Sequence, residues 1–176
     1  MKNFSIKDLY ESCESIIVSF LVIMIVILFA FRAVAVDGDS MLPNLHDQEK
    51  LITTNFFYTP EKGDIVVIDK NNVLRKPLIK RVIATEGDTI RIDYKTGDVY
   101  VNNQLLIESY ILEKIEPVNA DTLEMTIQPG YIFVMGDNRN NSQDSRNEAI
   151  GQVSTKNVLG KAVLRIYPFS EIGVLN

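Results

Sequence analysis

The sequence holds one histidine, one cysteine and no tryptophan among 176 residues. A lone cysteine, Cys13, excludes an intrachain disulfide and a cysteine metal site. It reads as an inert thiol beside an apolar run, with palmitoylation the minor alternative. The lone histidine, His46, lies on a polar stretch and reads as a surface loop residue. Basic clusters are absent as well. The net charge is −5 at pH 7, which argues against nucleic acid as a partner. No repeat and no low-complexity tract interrupts the chain, and no metal or other cofactor is expected.

What the chain does have is one long uncharged segment. Ser15 to Phe31, "SIIVSFLVIMIVILFAF", lies between Glu14 and Arg32. Its 17 residues reach the lower end of what spans a bilayer as a helix, and Arg32 can snorkel to the interface. The alternative is a cleaved signal peptide, with Lys2 and Lys7 as its basic region and "AVA" at Ala33–Ala35 as the cut. The length of the run and the acids Asp8, Glu11 and Glu14 before it favour an uncleaved anchor. Lys2 and Lys7 against Arg32 and Lys50 leave the positive-inside count nearly tied.

After the anchor the pattern turns to short runs rich in Val, Ile and Tyr. "GDIVVID", "LIKRVIAT", "TIRID", "DVYVNNQLL", "YIFVMGD" and "KAVLRIYP" are separated by "PEKGD", "TEGD", "YKTGD" and "QPG". Such runs bounded by turn residues read as strands. "IDYKTGDVYV" reads as a hairpin, and "STKNVLGK" as one short helical turn. The expected fold is mainly β, an antiparallel sheet with a small inserted β-ribbon, preceded by one transmembrane helix. The expected division is a short segment at 1–14, the helix at 15–32, a β core at 33–92 and 126–176, and an inserted subdomain at 93–125.

Three stretches carry chemistry. In "VDGDSMLPNL" (Val36–Leu45), Ser40 sits on a turn marked by Gly38 and Pro43. It is not a G-x-S-x-G elbow, because Leu42 replaces the second glycine, and no S-x-x-K occurs in the chain. Taken alone, Ser40 reads either as an exposed nucleophile or as a turn serine bonded to backbone. His46, six residues on, serves it as a base only if the loop folds back sharply. In "PLIKRVIATEGD" (Pro77–Asp88), alternation puts Leu78, Lys80 and Val82 on one face and Ile79, Arg81 and Ile83 on the other. A cation therefore stands among apolar side chains. Arginine stays charged there, whereas burial lowers a lysine's pKa. Lys80 reads either as a neutral general base or as a strand-edge lysine reaching water. "GDNRNNSQDSR" (Gly136–Arg146) is dense in Asp, Asn, Ser and Arg. It fails as a calcium loop, because Arg139 and Ser142 take its third and sixth positions. Asp144 and Arg146 fit a fixed network that stiffens a loop and aims a hydroxyl.

In this order after an N-terminal anchor, these stretches resemble the type I signal peptidases, membrane-bound serine proteases with a Ser/Lys dyad. The resemblance covers nearly the whole chain, and its short insertion looks more like the enzymes of Gram-positive bacteria. It implies the antiparallel catalytic core of that family. It also implies Ser40 as nucleophile, with its backbone N–H in the oxyanion hole, and Lys80 as general base. Ser142 is the implied hydrogen-bond partner that orients Lys80, and Asp144 and Arg146 are implied supports. Two motifs depart from the family: Gly38 stands where some members place an oxyanion-donating serine, and "ATEGD" where many have glycine and proline. Met41 and Leu42 either dip into the membrane interface or pack the core. Ser40 follows Arg32 by eight residues, so it lies within roughly 25–30 Å of the anchor's end. The implied substrates are preprotein signal peptides cut after small residues at the first and third positions. The implied setting is the cell membrane, single-pass, with residues 1–14 cytoplasmic, the catalytic part extracytoplasmic and the chain a monomer. A self-cleaving repressor of the SOS type shares the dyad, but would need a DNA-binding helix-turn-helix and no anchor.

Overall fold

A computed structural model describes residues 6–72 and 74–175. Lys2, counted above among the flanking cations, lies outside them, as do the first five residues of the 1–14 segment. The chain divides into two compact units between Arg32 and Ala33.

The first unit is a helix, α1 (Ile6–Ala30). Ahead of the apolar run, Lys7 and Glu11, one helical turn apart, form an ion pair on its surface. Tyr10–Ala30 has a mean hydropathy of 2.7 with none of that stretch buried, and from Ile16 on it is uncharged on all sides. Its 21 residues rise about 31 Å as a helix, close to the thickness of a bilayer's hydrocarbon core.

The elements that follow are β1 (Phe31–Ala35), β2 (Lys50–Thr54), β3 (Ile65–Ile68), β4 (Leu78–Ala84), β5 (Thr89–Asp93) and β6 (Asp98–Val101). Then come β7 (Gln104–Leu105), β8 (Leu123–Thr126), β9 (Tyr131–Met135), β10 (Val153–Ser154), β11 (Val158–Tyr167) and β12 (Gly173–Val174). Eight of them form one sheet in the order β1-β2-β11-β3-β4-β9-β10, with β12 on β11. The strands from β2 to β10 along that order pair antiparallel. The other four form a second antiparallel sheet, β7-β6-β5-β8.

Alternation along the central strands builds a core on both faces of the large sheet. In β3, Ile65 and Val67 join one cluster with Met41, Leu45, Leu51 and Ile79. Val66 and Ile68 turn the other way, to Leu78, Val82, Ile132 and Val134. β9 does the same, sending Phe133 and Met135 to a third cluster with Ile90, Ile92, Val99 and Val101 of the small sheet. That cluster fastens the small sheet to the large one. Each aliphatic side chain fully buried in this way contributes about 1.5–3 kcal/mol.

The small sheet opens at Thr89, four residues before the boundary expected from composition. "TIRID" buries Ile90 and Ile92 on alternate positions, which suits a half-exposed strand of a separate sheet. The hairpin after it turns at Gly97 (φ +74°), where a Cβ would collide with the Ile115 carbonyl oxygen. Leu123–Thr126, inside a segment that reads as irregular, is β8. It pairs with β5 through backbone groups, and its apolar pattern is weak. The "ATEGD" turn is closed by Asp88, whose carboxylate accepts from the Thr85 N–H at 2.8 Å and its hydroxyl at 3.1 Å. The helical turn expected in "STKNVLGK" is a 3₁₀ turn at Thr155–Asn157.

Candidate active site

Ser40 lies on the turn that follows β1, and the residues on either side of it anchor that turn. Val36 and Met41 pack into the core, Met41 being 1% exposed. Met41 thus takes the packing role of the two open to it. Gly38 has φ +87°, a left-handed conformation that favours glycine, and its N–H donates to Asp47 at 2.8 Å. Ser40 itself stays half-buried at a cleft of about 520 Å³ that Gly38, Lys76, Lys80 and Ser142 also line. A separate cavity of about 410 Å³, beside Tyr58 and Tyr131, includes neither Ser40 nor Lys80.

Lys80 is set by β4, whose seven residues are all buried. Its side chain is 3% exposed. Its Nζ lies 2.6 Å from Ser40 Oγ and 2.9 Å from the Ile79 carbonyl oxygen. Burial pushes the amine down from 10.5 to about 8. Lys76 and Arg146 push the same way, and Asp144 and Asp137 hold it up against them. At pH 7 about one Lys80 in ten is then neutral, against roughly one in three thousand for a free lysine. When charged, the amine donates to Ser40 Oγ. When neutral, it offers a lone pair that the hydroxyl proton can reach.

Arg81, next on the strand and on the other face, is buried as well. The sequence called for at least one buried cation here; the fold buries two, each handled differently. Arg81 donates Nε and Nη2 to the two carboxylate oxygens of Asp137, both at 2.8 Å, so its charge is matched in place.

The loop after β9 closes the site from the other side. Asn138 donates its N–H to the Ser40 carbonyl at 3.0 Å and its side-chain amide to the Asp39 carbonyl at 3.2 Å. Asp144 accepts the Gly136 N–H at 3.0 Å and both Arg146 Nε and Nη2 at 2.8 Å. Burial alone would raise the Asp144 carboxyl, but the Arg146 guanidinium and that N–H outweigh it and keep it below the usual carboxylate range. Ser145 pairs with Val134 of β9 through its hydroxyl and its backbone.

The structure thus brings Ser40, Lys80, Ser142, Asp144, Arg146 and Gly38 to one cleft or its wall. One expected contact differs. Ser142 Oγ is buried with no hydrogen-bond partner, so it does not bond Lys80, whose Nζ meets Ser40 and the Ile79 carbonyl. It stands near enough to Asp144 to favour that carboxylate, but outside bonding geometry. Gly136 explains the crowding: a Cβ there would collide with Ser142 Oγ and the Ser40 carbonyl oxygen. Sequence reading did not single out Gly136, Asn138 or Ser145, although all three lie within the "GDNRNNSQDSR" stretch.

His46 is exposed, as expected, and its Nδ1 lies 3.3 Å from Glu49 Oε1. Among the described residues, His46, Glu49 and Glu171 form the one group whose ligand atoms approach within 4.8 Å. Arg165 already stands there, 2.8 Å from Glu49 and 3.3 Å from Glu171. A fixed guanidinium makes that place a poor one for a metal cation.

A family model described as signal peptidase, peptidase S26, matches residues 9–167. The chain belongs to that family. A signal peptidase I of Bacillus licheniformis is 34% identical, over 94% of this chain and 92% of its own length. Signal peptidase I S of Bacillus subtilis is 30% identical, over 97% and 95%. A probable signal peptidase I-1 of Synechocystis is 33% identical, over 94% and 86%. A crystal structure of an Enterococcus faecalis signal peptidase I is 27% identical and covers 59% of this chain and 97% of its own, with a TM-score of 0.47. As a member of peptidase S26 the chain is a serine peptidase that removes signal peptides from preproteins. It is associated with a membrane, and α1 provides a single span.

Proposed function

We propose that cleavage runs through a Ser40/Lys80 dyad. The observation that carries this reading is the 2.6 Å approach of the buried Lys80 Nζ to Ser40 Oγ. Neutral Lys80 takes the hydroxyl proton as Ser40 Oγ bonds to the scissile carbonyl carbon. The negative charge on the carbonyl oxygen is met by the Ser40 N–H, which no acceptor takes among the described residues. Gly38 is not the second donor in this state, because its N–H is held by Asp47. Lys80 then gives its proton to the leaving amine, and the C–N bond breaks to leave an acyl ester on Ser40. A water deprotonated by Lys80 attacks that ester, and the proton returns to Ser40. Asp144 and Arg146 stiffen the wall beside the amine, and Ser142 fills the space under Gly136, able to turn to Lys80 once Ser40 is acylated.

The substrates are signal peptides with small residues at the first and third positions before the cut. The catalytic part, a core at 33–92 and 126–176 with an insertion at 93–125, lies on the extracytoplasmic side. A long domain after one span translocates largely regardless of flanking charge. The chain acts as a monomer without a metal.

Incubating the detergent-solubilised protein with a preprotein tests this. Ser40→Ala and Lys80→Ala should each lower the rate on the order of 10⁴-fold or more. Near-normal cleavage by either variant refutes the dyad. Cleavage after a site lacking small residues refutes the specificity.

A further inference from the structure

The inserted segment between β7 and β8 reaches into the wall that holds Ser40. Glu108 accepts from Arg139 Nη1 at 2.6 Å and pairs with Nη2 as well. Both side chains are more than nine-tenths buried, and Arg139 Nε donates back to the Gly136 carbonyl at 3.1 Å. Tyr110 touches the same group from three sides. Its hydroxyl donates to Glu108 at 2.7 Å. Its ring lies under the Arg81 guanidinium, 4.3 Å from the centroid. Its carbonyl accepts from the Asn44 amide at 2.5 Å. Asn44 also donates to Asp137 at 2.8 Å.

These contacts form one connected, largely buried network, from Gly136 through Arg139, Glu108, Tyr110 and Arg81 to Asp137 and Asn44. Its two ends meet the two ends of the Ser40 turn. At one end Asn138, between Asp137 and Arg139, holds the Ser40 and Asp39 carbonyls. At the other, Asn44 lies four residues past Ser40. We propose that Glu108 and Tyr110 are positioning residues for the peptidase reaction. They fix the Asp137–Arg139 loop, and through it the distance between Ser40 Oγ and Lys80 Nζ. Neither side chain lines the cleft that holds Ser40 and Lys80, so a positioning role predicts a change in kcat and not in KM. The inference rests on the Ser40/Lys80 reading and assigns the insertion a part in it.

A displacement of about 1 Å between reacting groups lowers rates by up to 10²-fold. The test is kcat and KM on a preprotein for the full-length, detergent-solubilised chain carrying Glu108→Gln, Tyr110→Phe, or Glu108→Gln with Arg139→Gln. Thermal unfolding establishes that each variant is folded at the assay temperature. Glu108→Gln keeps the shape of the side chain and removes the charge. It should lower kcat about 10- to 100-fold with KM within twofold. The double variant, which leaves no unpaired buried charge, should recover the melting temperature but not kcat. Tyr110→Phe keeps the ring on Arg81 and should lose several-fold in kcat alone. If Glu108→Gln does not fold, the double variant and Tyr110→Phe decide. A folded variant with kcat within twofold of the parent overturns the proposal, as does a loss confined to KM. Ser40→Ala, run alongside, separates the two claims: if it is inactive while the insertion variants are normal, only the positioning role fails. If it stays active, the dyad fails.

Discussion

Replacing Lys80 with methionine should abolish cleavage and make the fold more stable. Lys80 titrates at about 8 in the folded chain and at 10.5 when free. Below pH 8 both states bind the proton, and the folded state carries the full penalty of holding it away from water. That penalty is roughly 3 kcal/mol, at 1.36 kcal/mol for each pH unit of displacement. Between pH 8 and 10.5 the unfolded chain holds a proton that the folded chain lacks, so stability rises with pH across that window. Methionine fills a similar volume and carries no charge. It gives up the contacts with Ser40 Oγ and the Ile79 carbonyl, worth about 1 kcal/mol each. The net gain is then about 1–2 kcal/mol at pH 7, or roughly 2–8 °C in melting temperature for a chain of this size. The assay is thermal unfolding in detergent of the parent and Lys80→Met, at pH 7 and at pH 9.5. The advantage of the variant should be clear at pH 7 and shrink at pH 9.5, where the parent's lysine is neutral when folded. A variant less stable at pH 7, or an advantage that does not change with pH, would refute the reasoning.

Two other substitutions probe the same cleft. Lys76 is exposed there and its charge depresses Lys80, so Lys76→Ala should raise the Lys80 pKa. The acidic limb of the kcat/KM profile should move to higher pH with little change in melting temperature; an unmoved limb counts against a shared field. Gly136→Ala places a methyl group against Ser142 Oγ and the Ser40 carbonyl oxygen. Overpacking of this kind costs about 1–3 kcal/mol, and kcat should fall at least about tenfold as the Ser40 turn shifts. Parent-like kcat and stability would contradict the close approach.

Much of this architecture is written in local pattern. The apolar run of α1 needs no partner to be recognised, and Ile65–Ile68 is a continuous apolar strand, with Leu78–Ala84 apolar except at Lys80 and Arg81, because the sheet is covered on both faces. The Asp93–Asp98 hairpin follows from its turn residues. Lys80 was legible as chemistry only in part. Its flanking residues predict burial, but the 2.6 Å contact with a serine forty positions away is long-range, and the family motifs supplied that pairing. Motif reasoning assigned Ser142 a bond to Lys80 that the folded chain does not make; Lys80 Nζ meets Ser40 and the Ile79 carbonyl instead. The least legible part is the insertion. "EKIEPVNADTLE" reads as charged and irregular, and just before it nothing local distinguishes Glu108, whose side chain is buried, from Glu113, which is exposed. Only the arrival of Arg139 from the β9 loop decides it. β8 is hidden for a related reason: it is specified by the open edge of β5, not by its own alternation.

The most direct test of the account is the pH dependence of kcat/KM for preprotein cleavage by the unmodified chain. With neutral Lys80 as the base, the rate should rise tenfold per pH unit on the acidic side and level off near pH 8. An acidic limb that levels only near pH 10, or a profile flat from pH 6 to 9, would contradict a desolvated lysine acting on Ser40.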